Sequence, residues 1–108
     1  MKRTSVIAAF GLAVSIISEG AFAADNPIDQ ANQQFSNKAL SAKTGDTVTF
    51  KNSDDVTHNI TVDGPDGDND DLGLQKPGES LTTKISKAGE YNVHCHIHPK
   101  MKMKIIAQ

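Results

Sequence analysis

The sequence has one cysteine, four histidines and no tryptophan in 108 residues. Cys95 alone cannot form an internal disulfide, and a closed structural zinc site would favour more thiols. No basic patch or stripe stands out, so nothing points to nucleic-acid binding. A membrane-spanning helix needs about 20 apolar residues. The one long apolar run, Val6 to Ile17, is shorter than that and is broken by Ser15, Ser18, Glu19 and Gly20. Beyond it, no segment carries a convincing amphipathic-helix pattern.

What is present begins with an address. Lys2 and Arg3, the apolar run and the small-residue pattern Ala21-Phe22-Ala23 together read as a signal peptide over residues 1–23. Cleavage after Ala23 would leave one domain of 85 residues, 24–108, in the periplasm, with no membrane span. That domain carries 9 basic and 12 acidic side chains, a net charge near minus 3.

Residues Asp25 to Asn37 are rich in Asn, Gln and Asp, and are expected to be loosely ordered before the first strand. Leu40 to Lys43 and Thr47 to Asn52 alternate apolar and polar around the turn Thr44-Gly45-Asp46, which predicts two strands joined by a tight turn. Further strands are expected over Thr57–Val62, Ser80–Ile85, Tyr91–Cys95 and Lys102–Ala107. Asp63 to Asp71 carries five aspartates, two glycines and a proline, and is expected to be a solvated loop. Strands this frequent, with short Gly, Pro and Asp connections, predict an all-β antiparallel sandwich or barrel.

An odd thiol in an exported domain is either a small buried apolar group, a surface thiol or a ligand. Its neighbours decide. Cys95-His96-Ile97-His98-Pro99-Lys100-Met101 places a thiolate, an imidazole and a thioether within seven residues between two strands. Soft sulfur with imidazole suits copper, and two histidines, one cysteine and a weak methionine define an electron-transfer copper site. Alternation puts Tyr91, Val93 and Cys95 on the core face and His94 on the other, and turns His96 away from Cys95. With His94 and His96 turned away, the second imidazole must come from elsewhere, and His58 is the only histidine outside residues 94–101.

These residues resemble the type 1 copper proteins, or cupredoxins, and within them the amicyanin and plastocyanin-like group. The likeness runs from about Leu40 to Ile106. It includes Lys43-Thr44-Gly45-Asp46-Thr47-Val48-Thr49-Phe50, the pair His58-Asn59, Ala88-Gly89-Glu90-Tyr91, and the short loop Cys95-x-x-His98-x-x-Met101. It implies a Greek-key β-sandwich holding one type 1 copper, with His58, Cys95 and His98 as equatorial ligands and Met101 as the axial one. It also implies that Asn59 braces the loop, with its backbone N–H on the Cys95 sulfur. Ile97 where proline is common, the extra His96, and Met103 where glycine is common are departures.

The expected function is one-electron transfer between redox protein partners in transient docking, by a monomer that is not an enzyme. The alternative is a periplasmic copper-binding protein for tolerance or delivery. An oxidase would need further coppers and a second domain, for which four histidines in one small domain leave no room. The acidic segment is expected to solubilise the chain, with steering of a basic partner as its other reading.

Overall fold

A computed structural model describes residues 23–108; the expected leader, apart from Ala23, lies outside the described residues. In chain order the strands are β1 (Asp25–Ala31), β2 (Gln34–Phe35), β3 (Ala39–Ala42), β4 (Thr47–Asn52), β5 (His58–Asp63), β6 (Asn69–Gln75), β7 (Ser80–Lys84), β8 (Gly89–His94) and β9 (Lys102–Ala107). They form a four-stranded sheet, β2-β1-β4-β7, and a five-stranded sheet, β3-β9-β8-β5-β6. This is the expected all-β sandwich. Two of its pairings, β1 with β4 and β3 with β9, run parallel and the others antiparallel. Among the described residues no helix is long and apolar enough to cross a membrane.

The core follows from side-chain alternation. Met103, Ile105 and Ala107 of β9 are buried while Lys102, Lys104 and Ile106 are exposed, and Tyr91 and Val93 of β8 point the same way inward. Val48 and Phe50 of β4, Ile28 of β1, Ile60 of β5 and Ile85 complete the interior. Phe35 packs edge-on against Phe50 at 6.0 Å between ring centres.

The structure departs from the sequence reading in two places and adds to it in a third. Asp25 to Asn37 is not loosely ordered: β1 pairs along β4 from Asp25↔Thr47 to Gln30↔Asn52. Its polar side chains find partners on β4, Thr47 and Thr49 donating to Asp25 Oδ1 at 2.7 and 2.8 Å, while Ile28 enters the core. The two strands expected on either side of the turn at Thr44-Gly45-Asp46 are present as β3 and β4, and the turn carries the chain from one sheet to the other. Gly45 takes φ +98°, and Asp46 accepts backbone N–H bonds from Lys43 and Ala24, each 3.0 Å. Lastly, the acidic segment is only partly loop. Residues 69–71 open β6, the edge strand of the five-stranded sheet, where all three stay exposed to water at little cost.

Candidate metal centre

Register brings distant residues together. β5 and β8 run antiparallel with Thr61 opposite His94, so the start of β5 meets the chain just beyond the end of β8. His58 opens β5, and Cys95 and His98 follow β8. His58 Nδ1 and His98 Nδ1 are 3.1 Å apart, and Cys95 Sγ is 3.9 Å from each. Among the described residues these are the one group of three or more His, Cys, Asp or Glu side chains whose donor atoms converge so closely. His58 is fully buried, Cys95 is 1% exposed, and His98 is half-buried at the surface.

Each donor is aimed by a second group. His58 Nε2 lies 2.9 Å from Asp54 Oδ2, which assigns the proton to Nε2 and leaves the Nδ1 lone pair facing the cluster. Asp54 is held in turn by the turn between β1 and β2, where Asn32 and Gln33 (φ +54° and +58°) donate backbone N–H groups at 3.1 and 2.7 Å. The Gln33 N–H, then His58, then the Asn32 N–H hold the Asp54 carboxyl below the usual carboxylate range.

Asn59 donates its backbone N–H to Cys95 Sγ at 3.3 Å, as the resemblance implies. Its side chain also braces the loop: Oδ1 accepts from the His96 N–H at 3.2 Å, and Nδ2 donates to Asp71 Oδ1 at 2.8 Å. The loop itself closes through Met101 N–H to His98 O (2.9 Å) and Cys95 N–H to Met101 O (3.3 Å). Met101 is buried where the loop returns to β9, and Met103 lies in the core face of that strand.

The donor set fits copper. Two imidazole nitrogens and a sulfur form a triangle whose centre lies about 2.1 Å from each, the span of a bond from a first-row metal to imidazole. Two histidines and a cysteine in one plane are the trigonal arrangement of electron-transfer copper. The other two histidines stand outside it: His94 pairs with Asp63 at 3.0 Å, and His96 is exposed. Asp54 was not foreseen. Its only sequence signal is a carboxylate four residues before His58 in a loop.

A β-sandwich with this trigonal site at one end defines the class of type 1 copper proteins, whose cofactor is one type 1 copper. Residues 22–108 match the copper binding proteins of the plastocyanin/azurin family, and the chain belongs to that family. It is 38% identical over 64 residues to the methylamine utilization protein MauL of Methylorubrum extorquens, covering 59% of this chain and 56% of that protein. It is 27% identical to amicyanin of Paracoccus denitrificans over 117 residues, 95% of this chain and 89% of that one. The chain thus spans about half the length of the MauL relatives it matches. A solved reduced, Cu(I) form of an amicyanin variant superposes with a TM-score of 0.72 at 26% identity, covering 78% of this chain and 82% of that one.

Proposed function

We propose that the protein is an exported, periplasmic electron carrier, not an enzyme. In this reading residues 24–108 are the mature domain, a monomer that docks transiently with redox protein partners. His58, Cys95 and His98 hold one copper ion, and Met101 is the weak axial ligand. The observation that carries the reading is the donor triangle, already closed with two corners buried.

Bound copper supplies a one-electron couple between Cu(I) and Cu(II). The chain keeps the donors at one spacing through the change of charge, so little rearrangement opposes transfer. Asp54 fixes the tautomer and orientation of His58, and the Asn59 N–H favours Cys95 as thiolate. With four positions filled by the protein, no open position remains for a substrate. His98 lies between exposed Ile97 (46%) and Pro99, a small apolar patch suited to brief docking.

The acidic loop supports the solubilising reading. It joins the ends of β5 and β6 remote from His58, about 17 Å along the strand at the usual rise per residue. Asp66 and Asp68 are also engaged by Lys87, at 2.7 and 3.5 Å.

Adding copper(II) to the purified mature protein should produce an intense thiolate charge-transfer band. His58→Ala should abolish it as Cys95→Ala does, while His94→Ala keeps it. An unchanged spectrum in His58→Ala would overturn the ligand assignment. Copper delivery would require ready exchange, whereas the burial of His58 and Cys95 supports slow release. Electron exchange with a soluble cytochrome should therefore outpace copper loss to a moderate-affinity chelator; the reverse order favours delivery.

A further inference from the structure

His94 and His96 flank Cys95 in sequence but lie outside the donor triangle. Their rings face each other with centres 5.1 Å apart and planes at 62°, close to the 4.8 Å and 69° of His58 and His98. The likeness extends to the supporting carboxylate. His94 Nε2 sits 3.0 Å from Asp63 Oδ2, as His58 Nε2 sits 2.9 Å from Asp54 Oδ2, so in both histidines the Nδ1 lone pair is left free. His96 is anchored through its backbone N–H to Asn59 while its imidazole is exposed.

From this repetition we infer a second metal site, in which His94 Nδ1 and the His96 imidazole take one copper(II) ion on the solvent-facing side of the five-stranded sheet. Two imidazoles two residues apart make a chelate, and water completes the coordination. Such a nitrogen and oxygen donor set binds divalent copper ahead of the other first-row ions. No sulfur is needed here, so this copper would be colourless in the thiolate region and open to exchange. The pair borders a cavity of about 510 Å³ that Lys38, Lys102 and Lys104 also line. Their charges weaken the site. Asp63 opposes them at His94 and Asp71 at His96, the Asp71 carboxyl being held low by Asn59 first, then by Gly73, with His96 adding to the effect.

The test is equilibrium dialysis of the purified protein against copper(II), with electron paramagnetic resonance of the loaded samples. Wild type should hold two copper ions per chain, the second with a tetragonal nitrogen-ligated signal and no added thiolate absorption. His96→Ala and the double variant His94→Gln/His96→Ala should each hold one, with the thiolate band of the first intact. One copper per wild-type chain, or a second copper that survives the double variant, overturns the proposal. The buried centre fails separately, by absence of the thiolate band, so the two readings are not confounded.

Discussion

Asp54 touches none of the three converging donor atoms, yet it sets the electron density of one. A carboxylate on Nε2 makes the His58 imidazole a better donor from Nδ1, which favours the oxidised, more highly charged ion. Asp54→Asn should therefore raise the reduction potential, by about 59 mV for each tenfold loss of preference for Cu(II) over Cu(I). Redox titration followed at the thiolate band measures this; a lowered potential would contradict the role. The axial assignment is tested by Met101→Gln, which introduces a stronger oxygen donor and should lower the potential and perturb the band. Met103→Leu nearly preserves volume in the core face of β9 and should move both only slightly. The opposite pattern would transfer the axial role to Met103.

At the scale of strands, Gly89 determines how β8 can begin. It takes φ +135°, and a Cβ there would lie 2.6 Å from Pro65 Cβ in the loop between β5 and β6. Gly89→Ala should cost about 1–3 kcal/mol, seen as a lower denaturation midpoint, with the copper spectrum of the folded fraction retained. The same strands show what a sequence can disclose. β8 and β9 were legible because their inward residues, Tyr91, Val93, Met103 and Ile105, are apolar and their outward ones mostly polar. β1 was not, because its polar side chains are satisfied by β4 residues some 22 positions away, and composition does not record who the partner is. β6 was hidden likewise behind the aspartates that open it. The convergence of His58, Cys95 and His98 was legible, the last two from their spacing in the loop and His58 by elimination. Asp54 was not, since what holds it is the turn at Asn32 and Gln33, three strands earlier.

Over the whole molecule, carboxylates tie the amino-terminal strand to its sheet. The Asp25 carboxyl is held low by the Thr47 hydroxyl and then that of Thr49, and the Asp46 carboxyl by the Ala24 N–H and then that of Lys43. A depressed carboxyl contributes stability that is fully present above its unfolded value, 3.8 here, and is lost as pH falls through the folded value. The copper-free protein should hold its thermal midpoint from neutral pH to about pH 5 and lose it below about pH 4. Asp46→Asn should start lower and fall less, and an equally steep fall would remove Asp46 from the account. That same carboxylate gives the expected cleavage after Ala23 a physical consequence. Ala24 N stands 3.0 Å from Asp46 Oδ1, and the strand ladder begins one residue later. If export cuts after Ala23, the amide there becomes an ammonium already facing its counter-ion. Trimming the leader would then staple the new end to the sheet, and one extra residue left ahead of Ala24 should measurably loosen it.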